Sequence, residues 1–555
     1  MTTIPNPSPA RAPDRWWQYA AWAFCLAGAI ARIAAYAQHR SLWYDEAAVA
    51  LNIVRRGFFA LLQPLDNQQT APPLFLWAER VVVLVFGANE WSLRALPLLA
   101  GIATAPLMWR VARRLLPTSA AVIAVALVAL SPALVRYAAE VKPYAVDALV
   151  TLLVLDRTLA LQESAWSSRR WWQLGIVGAF ALVASTPAVF VLAGVVAFVG
   201  WHAVTEQHVR LGARAAALTG AWALTFVVLV STVFRPLVAA DSPIRRFMQW
   251  YWATNFLTAD APGLAVKASV LVWAVLTNTF LGGAAPPGST TALLLVGAVG
   301  AVMLLATSRT STLLLVAVPA VAVIAASALR RYPIADRLVL FAAPLTALLL
   351  ASAQLVVLRV RPIQWREFAT AVATLVLTIL ATRGVWSQLQ SDEGRQESRS
   401  LVHVGAARHA DGMPVWVSGG GEVAWRFYSR ATDPVQRPAD NDVLSPAGGT
   451  VARDVLVGAW YNAVPERILP TADDTAAAAR PSAWSETEAA RLRRLSRPCG
   501  LVFLSHIQPG EQTALLASLA SLGGRVVASS RATGAELYEI CFSADTTTTR
   551  VPQSR

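Results

Sequence analysis

The chain has 555 residues, 56% of them hydrophobic, with a mean hydropathy of +0.49 and a formal charge of +14. Soluble domains carry fewer apolar residues and do not gather them in long blocks, so the composition excludes a soluble enzyme and indicates a polytopic α-helical membrane protein. Of the 47 basic residues only Lys142 and Lys267 are lysines, and the arginines cluster at the ends of apolar blocks. That pattern reads as topology signal and phospholipid contact, not as a nucleic-acid surface.

Residues 1–15, rich in Pro and Thr, read as a disordered cytoplasmic tail. The first span, 16–37, imitates a signal peptide with Arg11, Arg15 and Ala35-Tyr36-Ala37, but it is long for an h-region and holds Arg32. It is retained as helix 1. Ten more spans follow at about 91–109, 119–136, 144–161, 171–186, 188–204, 212–234, 289–306, 311–328, 338–358 and 368–386. With the N-terminus inside, every inner loop carries arginine: Arg110, Arg113 and Arg114; Arg157, Arg169 and Arg170; Arg210 and Arg214; Arg309; Arg359, Arg361 and Arg366. About eleven spans, over 16–386, place the C-terminus outside.

Two outer loops are long, 38–90 and 235–288. The first contains amphipathic pieces at Ala48–Leu62 and Leu74–Phe86, the second of them apolar enough for a re-entrant or interfacial helix. The other includes Gln249-Trp250-Tyr251-Trp252 and an apolar piece, 265–281, whose alternative as a twelfth helix would reverse each later loop. From 387 to 555 the texture is that of a small extracytoplasmic α/β domain. Strands are expected at Met413–Val417, Asp454–Gly458, Gly500–Ser505 and Arg525–Ser529, and helices at Glu486–Leu495 and Glu511–Leu522. Gly419-Gly420-Gly421 reads as a turn rather than a phosphate cradle, because no Lys-Ser/Thr follows it. An oxidising compartment would permit a Cys499–Cys541 bridge, although nothing in the sequence brings the two together.

Three constellations can carry chemistry. Trp43-Tyr44-Asp45-Glu46 puts two acids just beyond the first span, where dehydrating them is costly. They read either as first-turn acids of the helix that begins near Ala47 or as a general base raised in pKa by burial and a like charge. Glu140-Val141-Lys142-Pro143-Tyr144, in the next outer loop, is either a loop ion pair or a site that needs a compact ammonium, for instance against a phosphate. Arg330-Arg331-Tyr332-Pro333 and Asp336-Arg337 are basic on the outer side, against the topology bias, and an anionic lipid phosphate is their natural partner. A plain headgroup contact is the simpler reading there.

Four motifs in order carry a resemblance: Leu42-Trp43-Tyr44-Asp45-Glu46-Ala47, Gln69-Thr70-Ala71-Pro72-Pro73-Leu74, Asn89-Glu90-Trp91-Ser92-Leu93-Arg94 and the Glu140–Tyr144 loop. Together they resemble the GT-C superfamily of glycosyltransferases, in the branch of protein O-mannosyltransferases and lipid A aminoarabinose transferases (glycosyltransferase 39-like). The likeness covers 16–160 well and Arg331–Pro344 more loosely. It implies a polyprenyl-phosphate-linked sugar as donor, a lipid, polysaccharide or protein acceptor, and inversion in one displacement at the outer face of a bacterial plasma membrane.

In that resemblance Asp45 is the general base, and Glu46 and Glu140 position acceptor or sugar. Lys142, Arg331 and Arg337 neutralise the departing phosphate, and Tyr44, Arg94 and Tyr144 support the site. Many relatives have a histidine before Pro-Pro-Leu where this chain has Thr70-Ala71, and His39 is the only histidine of the first outer loop. No cofactor is firmly implied, and a divalent cation at the carboxylates has no support in the sequence. The competing readings are a transporter or flippase of lipid-linked sugars and an inactive subunit of an envelope complex. A transporter should show repeated halves with interrupted helices and midplane charges, and the sequence shows neither a repeat nor midplane acids.

Overall fold

In lipid every backbone N–H and C=O must find its partner within its own segment, so the apolar blocks fold as helices. The structure, a computed structural model, describes residues 12–239, 242–258, 263, 268–269, 272–283, 285–357, 363–392, 394–430, 449–452, 455–458, 481–496 and 498–542. Most of the expected 1–15 tail, much of 265–272, and Arg359 and Arg361 lie outside the described residues. The chain divides into two compact units. One comprises Met1–His39, Phe58–Gln63 and Ala71–Ser391, and the other Arg40–Gly57, Pro64–Thr70 and Asp392–Arg555.

Among the described residues of the first unit, eight helices are long and apolar enough to cross a membrane: Arg15–Ala37, Glu90–Leu115, Ala188–Thr205, Val209–Thr232, Ser289–Ala306, Thr310–Ala328, Leu340–Val357 and Glu367–Gln390. The protein is a multi-pass membrane protein. The other three expected spans are also helical, each with a local reason for falling short. Tyr144–Glu163 carries Asp147, Asp156 and Arg157, and Ser168–Ala184 has 17 residues. The expected 119–136 span breaks into Thr118–Ala129 and Pro132–Tyr137, because Pro132 cannot continue a helix.

That break is held by a buried charge. Arg32, 1% exposed, donates from Nη1 to the carbonyls of Gly28 (2.9 Å) and Ala129 (2.7 Å) and from Nη2 to that of Val128 (3.1 Å). The guanidinium thus takes two carbonyls that the end of Thr118–Ala129 leaves without intrahelical partners. Ser131 caps the next helix through Oγ, which accepts from the Leu134 N–H and donates to the Thr279 carbonyl. The short helix therefore delivers residues 136–144 at a fixed angle. At the opposite end of Tyr144–Glu163, Asp156 gathers Arg110, Arg114 and Arg157. In the first long loop the expected interfacial piece is the helix Pro73–Phe86, with proline at its first position, where a missing N–H costs nothing.

The second unit is built on a six-stranded sheet: β1 (Val415–Val417), β2 (Gly449–Ala452), β3 (Val455–Val457), β4 (Cys499–Ser505), β5 (Gly524–Ala532) and β6 (Ala535–Phe542). The order is β2-β3-β1-β4-β6-β5, parallel where β1 meets β3 and β4 and antiparallel toward both edges. Trp416, Val502, Leu504, Tyr538 and Ile540 pack beneath the helices Pro481–Leu495 and Glu511–Ser521. The sequence pattern places four of these strands. It misses β2, whose side chains are not described, and β6, whose polar residues Glu536, Tyr538 and Glu539 mask the alternation.

Cys499 and Cys541 are register partners on β4 and β6 and form a disulfide with a sequence separation of 42. A closed loop of that size stabilises by about 4 kcal/mol in the chain-entropy account.

Candidate active site

The acid pair lies in the second unit. The helix Tyr44–Arg55 starts where Trp43 is extended, and Asp45 and Glu46 occupy its first turn, where carboxylates favour the helix dipole. They have different environments. Glu46 is 1% exposed, and its Oε2 accepts from the Trp43 N–H at 3.4 Å, a return cap on its own helix. Asp45 is half-buried, and its Oδ1 accepts from Gln69 Nε2 at 3.3 Å. Glu46 thus serves as a cap of its own helix, and Asp45 lies on the more open side.

The segment before the helix is fastened to the C-terminal part of the same unit. Ser41 donates from N and Oγ to Glu397 Oε2 (3.2 and 3.0 Å), the Leu42 N–H donates to the Tyr428 hydroxyl (2.7 Å), and the Tyr44 N–H donates to Gln396 Oε1 (2.9 Å). The Arg395 guanidinium and these Ser41 bonds hold the Glu397 carboxyl below its ordinary range, against the opposing effect of burial. The Tyr44 ring stacks on His506, with centroids 4.8 Å apart and planes 21° apart. Neither Gln396 nor His506 is marked by the sequence. Their partner lies about 350 and 460 residues away along the chain, and a lone polar residue after a strand carries no periodic signal.

The cationic group lies in the first unit. Glu140 and Lys142 are 8% and 5% exposed, on the tight turn closed by the Lys142 N–H to the Glu140 carbonyl at 2.8 Å. Glu140 pairs with Arg136, Nε to Oε1 at 3.0 Å, one helical turn earlier. Burial holds the Tyr137 phenol well above its ordinary range; Asp336 and Glu140 add to that effect, while Arg136 and Arg337 oppose it. Tyr137 thus lies within reach of charges from both expected outer loops. Arg337 sits over the Trp252 ring at 5.3 Å, and Asp336 accepts from Asn278 Nδ2 at 3.4 Å. Tyr144 meets Tyr137 edge to face, with centroids 5.2 Å apart.

Arg331 is exposed, and among the described residues its side chain has no polar contact; Arg94 is buried at 5% exposure in the helix Glu90–Leu115. Arg136 and Trp252 are the members the sequence reading leaves out. Arg136 was legible as the i,i+4 partner of Glu140. Among the described residues, the one group of three metal-ligand-type side chains is Cys499, Glu539 and Cys541, two of them already joined by the disulfide.

Membrane helices together with a small sheet domain are a fold that this chain shares with solved structures that include an oligosaccharyltransferase. Residues 70–233 match the family described as dolichyl-phosphate-mannose-protein mannosyltransferase. The crystal structure of ArnT from Cupriavidus metallidurans in the apo state is similar at a TM-score of 0.52 and 15% identity, covering 93% of this chain and 97% of that one. The oligosaccharyltransferase of Archaeoglobus fulgidus is similar in its apo form (TM-score 0.51, 12% identity, 93% and 74% covered) and in its complex with Zn and sulfate (0.51, 13%, 93% and 72%). No curated protein matches the chain.

Proposed function

We propose that this chain is a glycosyltransferase that moves a sugar from a polyprenyl phosphate to an acceptor at the outer face of a bacterial plasma membrane, inverting the anomeric centre. The observation that carries the reading is the buried Lys142 on the turn after the Arg136–Glu140 pair. Its ammonium puts a compact positive charge on that turn, and a donor lipid phosphate has the complementary charge. The family matched by residues 70–233 is named for such a donor.

In this reading the acceptor hydroxyl attacks the anomeric carbon. The bond from that carbon to the phosphate oxygen breaks, and its electron pair leaves with the lipid phosphate. Asp45, the acid not used as a cap, takes the hydroxyl proton. Lys142 and Arg337, with Arg331 and Arg136, meet the charge that grows on the leaving phosphate; Arg136 stands oriented beforehand by Glu140, and Arg337 by Trp252. Glu140 positions sugar or acceptor; Glu46 supports Asp45 by fixing the helix start.

The test is transfer. Membranes containing the protein, incubated with a panel of radiolabelled polyprenyl-phosphate hexoses and pentoses, should yield labelled product of inverted configuration from one of them. No transfer from any donor, with lipid-linked sugar moved intact across vesicles, would favour the flippase reading.

The outer placement of 387–555 rests on the arginine distribution and on the disulfide, which persists in oxidising compartments. Maleimide labelling of denatured, unreduced membranes should modify Cys25 alone and leave Cys499 and Cys541 unmodified. Labelling of all three would place the domain on the reducing side.

A further inference from the structure

The residue after β4, His506, has φ +54°, in the left-handed region that a side chain occupies at a cost. Its surroundings impose that conformation. A Cβ on Gly420 would lie 2.8 Å from the Ser505 carbonyl, 2.9 Å from that of His506 and 3.0 Å from its Cβ, so only glycine allows the turn after β1 to approach this closely. Ser398 Oγ lies 2.8 Å from Ser505 Oγ, and the Ser505 N–H donates to Ser418 Oγ at 3.3 Å. Strain held by several neighbours at one place is characteristic of a site where a side chain must be aimed.

The hydrogen bonds define how the ring is aimed. A backbone N–H can only donate, so the atom of Gln396 that meets the Tyr44 N–H at 2.9 Å is its oxygen. The other end of that amide is therefore the amino group, which can only donate, and it lies 2.7 Å from His506 Nδ1. Nδ1 accepts, and the neutral ring carries its proton on Nε2, an assignment that follows from the network. Burial lowers the pKa of the imidazole from its ordinary range and so favours this neutral form, while the nearby Asp45 charge opposes the shift.

Resting on the reading of Asp45 as the base, we propose that His506 is a positioning residue for it: stacked on Tyr44 and tied through Gln396 to the start of the acid-bearing helix, the ring offers its Nε2–H to the Asp45 carboxylate. The C-terminal domain thereby supplies part of the catalytic apparatus. A donor at Nε2 orients the carboxylate and keeps it ionised until it accepts the proton of the acceptor.

Two substitutions separate this role from a structural one. In His506→Asn the amide stands where Nδ1 stood and keeps the Gln396 bond, but it does not reach as far as Nε2. In His506→Gln the amide reaches the Nε2 position and restores a donor. The measurement is steady-state transfer by the full chain in lipid nanodiscs, from the polyprenyl-phosphate sugar that turns over, with Asp45→Asn run in parallel. His506→Asn should lower kcat about ten- to hundredfold with the donor KM unchanged, the loss expected for one hydrogen bond to a charged group. His506→Gln should stay within about threefold of the parent on the same reasoning.

Equal activity in the two variants, or equal loss, would overturn the proposal. So would loss of cooperative unfolding in both, since the ring would then be a structural element. If Asp45→Asn itself turns over normally, the base reading fails, and the role of His506 toward it fails too. If Asp45→Asn is inactive while the two His506 variants match each other, only the His506 proposal fails.

Discussion

Asp45→Asn is expected to reduce transfer about a hundredfold to ten-thousandfold, the usual contribution of a general base, while donor affinity stays unchanged. Asparagine keeps the size of the side chain and an oxygen for the Gln69 amide, which donates to Asp45 Oδ1 at 3.3 Å, and removes only the basicity. The neighbouring acid provides the contrast. Glu46→Gln keeps an acceptor for the Trp43 N–H and should act mainly through the stability of the helix start, a matter of about 0.5–2 kcal/mol for a cap. Single-turnover kinetics, together with binding of a non-transferable polyprenyl-phosphate analogue, separates the two effects. Retained turnover in Asp45→Asn would move the base to Glu46 or Glu140. Turnover retained in all three amide variants would remove the enzymatic reading from these acids.

Lys142→Ala is expected to weaken binding of the same analogue about ten- to hundredfold and to slow transfer as well, because the phosphate is anionic before and after the sugar departs. The position is buried, so solvent screening does little to soften the loss. Lys142→Arg should rescue only in part, since a broad planar fork does not reproduce a compact ammonium at the end of a tight turn. Arg331→Ala should have a milder effect: its side chain is exposed, and charge interactions there are screened. Arg337→Ala should fall between the two, through loss of the stack on Trp252. Unchanged affinity in Lys142→Ala would place the phosphate elsewhere, with Arg245 and Arg246 of the long outer loop as the next candidates.

Much of the membrane unit was legible because the bilayer simplifies the code. A segment that must satisfy its own backbone and offer apolar side chains to lipid announces itself by length and hydropathy alone. Among the described residues, each of the eleven spans that rule gives falls largely on helix. The rule cannot see that Pro132 splits one of them, or that Arg32 caps the break across a separation of 97 residues. In the sheet domain, runs such as Gly500–Ser505 were plain because they are buried on both faces, whereas the half-polar Ala535–Phe542 was not.

The sequence by itself determined the class of protein and the residue types available for chemistry: paired acids at Asp45 and Glu46, one lysine among arginines at 142, and basic residues at 331 and 337. These are local properties of composition, spacing and burial cost, and they need no knowledge of what packs on what. Only the tertiary structure decided which acid caps and which stays half open, and that residues 396 and 506 hold the helix bearing Asp45. The first depends on hydrogen-bond direction and the second on contact between segments hundreds of residues apart, and a linear pattern does not encode either.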